Sequence, residues 1–427
     1  MRSVNDTEYE YDALNRMKKV KFNGKTITYT YRKDSKLSTV DYNGVMTTTY
    51  GYDSAGRLTS KQTKLNNGTV IAGYSYTLDK VGNIISQTWQ EPYSDMNLTN
   101  EDVTYSYNSA NRITKAGDIS FSFDENGNTT KRGSESYTWD DLDRLTSNGT
   151  ESITYDPLGL IVSYGDIKFT TDPLGMGNVL SDTKSGAEYI YGNGLEARVK
   201  NGQVSYYVTD VRGSVVAIVD ENGNITHKYQ YDEFGKVTQK QEADYNPFQY
   251  VGKYGVMYLN DHQYYMRARH YDPIIGRFLS EDPIWSTNLY PYADNNPIVM
   301  TDTSGNSSES IQMNNSMKEL DDFMGTVSFV GDNVELLNQL DLIKESGLTR
   351  GLSRVTLAYD IAKGIVYVYN RDGIGVFVTI FNQIPGVSVD RDVTEFLIES
   401  GKKGVNALTS DPNWKRKYNP RKYYENN

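Results

Sequence analysis

The chain has 427 residues, a formal charge of -11 and no cysteine. The missing thiols exclude disulfides, thiolate metal sites and a cysteine nucleophile, and the acidic balance argues against a nucleic-acid surface over the chain as a whole. Hydrophobic residues make up 37%, whereas tyrosine and glycine occur 36 times each, a composition that suits many small amphipathic strands joined by turns better than one large apolar core.

The first six residues, Met1 to Asp6, lack the apolar segment of a secretory signal, and no run reaches the length of a membrane-spanning helix. Because a repeat is already under way by Tyr9, the sequence reads as a fragment or truncated copy whose export signal lies elsewhere. The unit places aromatic and small polar residues alternately, then an acidic residue, a Gly or Asn, an Arg or Asn and an apolar residue. Examples are Tyr9-Glu-Tyr-Asp-Ala-Leu-Asn-Arg16, Tyr50-Gly-Tyr-Asp-Ser-Ala-Gly-Arg57, Tyr105-Ser-Tyr-Asn-Ser-Ala-Asn-Arg112 and Phe121-Ser-Phe-Asp-Glu-Asn-Gly-Asn128. This reads as strand, tight turn, strand, with the Gly or Asn supplying a positive φ.

Markers of the unit at Asn108, Asp124, Asp140, Asp156 and Asp172 follow at a constant interval of 16 residues, and earlier ones at Asp12, Asp34, Asp53 and Asp79 are spaced less evenly. A unit of this size cannot bury its aromatic face alone, so its neighbours must stack into a β-solenoid or spiral. The repeated Asp and Tyr residues read as turn caps and cross-strand packing, and none is assigned a catalytic role. The competing use of such a repeat is carbohydrate binding.

These units resemble the YD repeat. The stretch from about residue 205 to 305 resembles the Rhs repeat-associated core domain, through Tyr206-Tyr-Val-Thr-Asp-Val-Arg-Gly-Ser214, Tyr229-Gln-Tyr-Asp-Glu-Phe-Gly235 and Asn246-Pro-Phe-Gln-Tyr-Val-Gly-Lys253. Its most diagnostic part is Tyr264-Tyr-Met-Arg-Ala-Arg-His-Tyr-Asp-Pro-Ile-Ile-Gly-Arg-Phe-Leu-Ser-Glu-Asp-Pro283, closed by Asn295-Asn-Pro-Ile-Val-Met-Thr-Asp-Thr-Ser-Gly305. The resemblance implies a mainly β chain. It would comprise a hollow YD-repeat β-shell over 1–204, a core domain over 205–305 that plugs one end, and a variable, small mixed or α-rich segment over 306–427.

The resemblance also implies that the core cuts its own chain with an aspartyl site. By motif the carboxylates are Asp282 and Asp302 and the assisting arginine is Arg269, with no cofactor and no metal. Paired carboxylates share a proton, so one could act as acid while the other activates water, with Arg269 lowering a pKa or stabilising an oxyanion. The structural reading competes. Asp-Pro pairs such as Asp156-Pro157 and Asp272-Pro273 commonly start turns, and Arg269 could simply pair with Asp272. One departure bears on cleavage near Gly305 to Ser307: the family's Asp-Pro-x-Gly stands here as Asp302-Thr303-Ser304-Gly305.

After Gly305 the tyrosine repeats stop, and Asn306-Ser-Ser-Glu-Ser310 reads as a hinge. Apolar residues recur at helical spacing over 336–343, over Val355-Ala358-Tyr359-Ala362 and over 393–397, and a hairpin around Asn370 to Gly373 competes with an apolar helical pair. His227, His262 and His270 are the only histidines, so imidazole-based hydrolysis is excluded from the last third. The basic, aromatic end, Trp414-Lys-Arg-Lys-Tyr418 and Arg421-Lys-Tyr-Tyr424, is the one place suited to nucleic acid, its plain alternative being a solvated tail. The resemblance makes this segment an effector or toxin, carried as the chain's own cargo, with a cognate immunity protein and secretion machinery as partners. The protein would then be secreted or at the cell surface, in competition between bacteria or toxin delivery. The alternative is a non-enzymatic surface protein that binds carbohydrate or another cell.

Overall fold

The structure, a computed structural model, describes residues 3–4, 7–93, 102–172, 177–283, 288–306 and 308–310, and the backbone of three strands beyond them. Local chemistry sets the turns. At Asp53 the backbone amide donates to the Arg57 carbonyl (3.0 Å), and the Gly56 amide donates back to the Asp53 carbonyl (3.0 Å). The Asp53 carboxylate then caps the turn: Oδ1 accepts the amides of Ala55 and Arg57 at 2.9 Å each, and Oδ2 takes Arg57 Nε at 2.7 Å. Asp12 with Arg16 and Asp140 with Arg144 repeat the arrangement, while Asn83, Asn128 and Asn224 stand in for arginine at Asp79, Asp124 and Asp220.

The fourth residue of each turn is left-handed, as at Asn15, Gly56, Asn111 and Gly127, and the strand register slips by one beside it. Turn capping by the repeated Asp is thus what the structure shows. One marker is corrected: Arg32, not Asp34, heads its turn, since the Arg32 amide donates to the Lys36 carbonyl and Ser35 to that of Arg32. Asp34 sits at the third position and pairs with Arg32 at 3.2 Å.

The tyrosine directly before a turn ties successive units together. Phenols of Tyr31, Tyr52, Tyr155 and Tyr231 donate to the carbonyls of Met17, Leu37, Leu145 and Val215, each the first residue after an earlier turn, at 2.7 to 2.9 Å. Guanidinium groups of Arg16 and Arg144 lie 4.4 and 5.0 Å from the ring centroids of Tyr31 and Tyr155.

Within each sheet the described strands pair antiparallel with their neighbours in sequence. A nine-stranded sheet runs from Ser3–Val4 to Ile84–Gln90, a five-stranded sheet from Tyr105–Tyr107 to Glu135–Ser136, and a ten-stranded sheet from Ile153–Tyr155 to Val237–Gln241. Thr138–Trp139 and Leu145–Ser147 form a small pair between the last two. The strand Gln203–Thr209 carries the ten-stranded sheet without a break through residues 204 and 205. Val20, Phe22, Ile27 and Tyr29 of the first sheet share one core with Ile190, Ala197, Val204 and Tyr206 of the ten-stranded one. A four-stranded sheet, Met257–Asn260 to Arg277–Phe278, rests on a wholly buried aromatic cluster of Tyr250, Tyr264, Tyr271, Phe278 and Tyr292.

Met300–Thr301 pairs with Glu309–Ser310, so the end of the segment read as a hinge is strand. The chain divides into two compact units, Met1–Met317 and Lys318–Asn427. In the second, Thr356–Asp360, Ile365–Tyr369 and Gly375–Thr379 form an antiparallel sheet. The strands on either side of Asn370 to Gly373 are therefore paired antiparallel, as the hairpin reading requires, and the helical reading fails at Ala358 and Tyr359, which lie in Thr356–Asp360, while Val355 and Ala362 lie outside the described residues: a run this short fits either period, and strand pairing decides. The helical patterns over 336–343 and 393–397 and the basic end lie outside the described residues. Among the described residues no helix is long and apolar enough to cross a membrane.

Candidate active site

Arg269 opens the third strand of the four-stranded sheet, Arg269–Asp272, and its guanidinium carbon sits over the Phe278 ring, 3.6 Å from the centroid. Buried on that apolar floor, its guanidinium fork spends its donors on a converging set. Nη2 contacts Asp282 Oδ2 at 2.7 Å and Asp302 Oδ2 at 3.5 Å. Nη1 donates to the Leu289 carbonyl at 3.0 Å, and Nε donates to the carbonyl of Gly305. Burial pushes the guanidinium down from its ordinary value, against the upward pull of Asp282 and then Asp302.

Asp302 follows the strand Met300–Thr301 and heads a turn that its own carboxylate caps. Its Oδ1 accepts the Gly305 amide at 2.7 Å and the Asn306 amide at 3.2 Å, and Gly305 is left-handed with φ of 74°. A Cβ on Gly305 would crowd the Met266 carbonyl and the Arg269 amide, so only glycine brings this backbone against the arginine. The Ala268 amide donates to the Ser304 carbonyl at 3.1 Å and Arg267 Nη1 to that of Thr303 at 2.9 Å, fixing the segment on both sides. Asp282 comes from a separate loop whose return is closed by its own amide on the Leu289 carbonyl, at 2.9 Å.

The structure thus brings Arg269, Asp282 and Asp302 together, the two acids standing 20 positions apart in sequence, with the Gly305 carbonyl on the same guanidinium. The guanidinium of Arg269 stands between the two carboxylates and contacts both through one nitrogen. Asp282 is 16% exposed and Asp302 2%, so water reaches the first more readily. Thr301 Oγ1 and Asn306 Oδ1 are buried without a hydrogen-bond partner at either end of the turn.

Asp272 is a structural residue, though not with the partner read from sequence. Its cation is Arg132 of the five-stranded sheet, Nε to Oδ2 at 2.7 Å, and its Oδ1 caps the turn at Ile274. Asp156 likewise caps its own turn through the Leu160 amide. Sequence reasoning missed the carbonyls of Leu289 and Gly305, because a backbone acceptor carries no side-chain signature.

A sequence profile of the teneurin YD-shell family matches residues 43–300. The chain belongs to that family. The tRNA3(Ser)-specific nuclease WapA of Bacillus spizizenii is 34% identical to this YD-shell chain over 140 residues, 29% of the chain and 6% of the nuclease. Toxin protein Tse5 of Pseudomonas aeruginosa is 28% identical over 109 residues, 24% of the chain and 8% of the toxin. The chain therefore spans only a small part of the length of the curated relatives it matches. Among solved structures, the Tc holotoxin pore of Photorhabdus luminescens is similar with a TM-score of 0.50 and 17% identity, covering 72% of this chain and 21% of that one, and the TcdB2-TccC3 crystal structure agrees at 0.50 and 17%. These likenesses show the β-rich YD-shell fold, and the named relatives are toxin-related proteins.

Proposed function

We propose that this YD-shell protein hydrolyses its own chain at the Gly305–Asn306 bond, and so releases the segment that follows as a toxin-type effector. The observation that carries the reading is the single guanidinium of Arg269, which holds Asp282, Asp302 and the Gly305 carbonyl oxygen together. Hydrogen bonding from a buried cation polarises that carbonyl and stabilises the oxyanion formed when water adds to its carbon. Asp282, the more exposed acid, takes a proton from the attacking water. Asp302 Oδ1 already accepts the Asn306 amide and so lies beside the nitrogen that must leave, where it relays the proton that the departing amine gains. One water is consumed, the C–N bond breaks, and a Gly305 carboxylate and an Asn306 amine result.

Toxin-related relatives supply the analogy for delivery to another cell from a secreted or surface-bound state, with an immunity protein and an export apparatus as partners. The purified chain should divide on a gel, and mass spectrometry should place the new C-terminus at Gly305. Asp282→Asn and Asp302→Asn should each leave the chain whole, whereas Asp156→Asn, which alters only a distant turn, should divide as the parent does. A parent chain that stays whole and soluble defeats the reading and leaves a non-enzymatic surface protein as its successor.

A further inference from the structure

The repeat at Asn108 departs from its siblings in a way that leads to the site. Where a turn begins with Asp and ends with Arg, the two pair internally, as in Asp12 with Arg16, Asp53 with Arg57 and Asp140 with Arg144. Here the first residue is Asn108, which caps the amides of Ala110 and Arg112 at 3.0 Å each but offers the arginine no carboxylate. The freed Arg112 side chain reaches Glu281, 169 residues away, with Nη2 at 2.9 Å and Nε at 3.3 Å from Oε1. Glu281 is the residue directly before Asp282.

The neighbouring turn completes the grip. Tyr290, directly after Leu289, donates its phenol to the Gly127 carbonyl at 2.8 Å and packs edge-on against Phe123, and the Thr129 amide donates to the Leu279 carbonyl at 2.8 Å. A Cβ on Gly127 would overlap the Glu281 carboxylate. The loop bearing Asp282 is thus held from one side by Arg269 and from the other by the five-stranded repeat sheet.

We propose that Arg112 and Glu281 are positioning residues for Asp282, so that the cut is made only when the repeat sheet has docked on the core. The inference rests on the self-cleavage reading above. It makes the repeats a device that reports completed folding to the site, since misplacement of a reacting carboxylate by about 1 Å can cost roughly 100-fold in rate.

The test follows cleavage of the full chain over time. Asn108→Asp restores the internal partner used by the other turns, so the fold is kept while Arg112 is drawn away from Glu281. Cleavage should slow by roughly 10- to 100-fold with no loss of melting temperature. Glu281→Ala should slow it to a similar degree, and adding Asn108→Asp to that variant should slow it little further, because both act through one pair. Arg112→Lys should restore part of the rate lost in Arg112→Ala. If the parent divides and Asp282→Asn does not, but Asn108→Asp divides at the parent's rate, this inference falls and the cleavage reading stands. If the parent never divides, both fall.

Discussion

His270 is held neutral by what its two ring nitrogens already do. Nδ1 faces the Gln263 amide at 3.0 Å, and that amide's oxygen takes Asn148 Nδ2 at 2.7 Å, so Gln263 is the donor to the ring. Nε2 must then carry the proton toward the Tyr155 hydroxyl at 2.9 Å, which itself donates to the Leu145 carbonyl. A second proton on Nδ1 would break the chain, and burial pushes the imidazole down to about 3 from its ordinary 6.5. Between those values the unfolded chain binds the proton and the folded one does not, so His270 costs stability as the pH falls through that window. Glu91 works in the opposite sense: burial raises it to about 7 from 4.5, so its contribution grows as the pH falls from 7. The comparison therefore belongs between chains. Melting temperature against pH from 7 to 4 should fall less steeply in His270→Gln than in the parent, and parallel curves would refute the assignment.

At the scale of the turn, the sequence was readable because its chemistry is local. An Asp whose carboxylate caps amides two and four residues on writes its own geometry, and the fixed spacing repeats that text. Asp34 was misread for the same reason: it is the only acid in Arg32-Lys-Asp-Ser-Lys36, yet the hydrogen bonds begin at Arg32. The two cases separate in stability. Asp140→Ala removes the acceptor of the Leu142 and Arg144 amides and the partner of the Arg144 side chain, and should cost about 1.5–3 kcal/mol in urea unfolding. Asp34→Ala loses only an exposed pair with Arg32 and should cost about 0–1 kcal/mol. Equal losses would mean that the register of the second turn is wrong. Arg269, Asp282 and Asp302 were legible only through resemblance, since nothing in the 19 intervening residues specifies that two acids meet. Arg112 and Glu281 left a fainter trace, an Asn where the repeat expects Asp, whose meaning required the partner 169 residues away.

Across the first compact unit, a row of meandering sheets would by itself unfold piecemeal, because each hairpin contacts only its neighbours. Long-range pins oppose this. Glu196 of the ten-stranded sheet, wholly buried and pushed up by that burial, accepts the phenols of Tyr29 (3.0 Å) and Tyr42 (2.9 Å) from the nine-stranded one. Lys61 crosses the same seam in the other direction, its ammonium donating to the Thr209 carbonyl, the Thr209 hydroxyl and the Asp210 carbonyl at 2.8 to 2.9 Å. At the rim Asn23 reaches the Gly202 carbonyl and Lys25 pairs with Glu221. Each pin joins strands more than 100 residues apart, so neither sheet can open without exposing the other's buried polar groups. Hydrogen exchange in low denaturant should therefore report one opening free energy for strands Met17–Phe22 and Val215–Asp220. Glu196→Ala leaves two phenols without an acceptor and should cost roughly 2–5 kcal/mol, and combining it with Lys61→Met should separate the two strands, the nine-stranded sheet opening first. If the double variant still exchanges as one unit, cooperativity comes from the shared apolar core of Val20, Ile27, Ala197 and Val204, and the pins serve only to set the register of one sheet on the other.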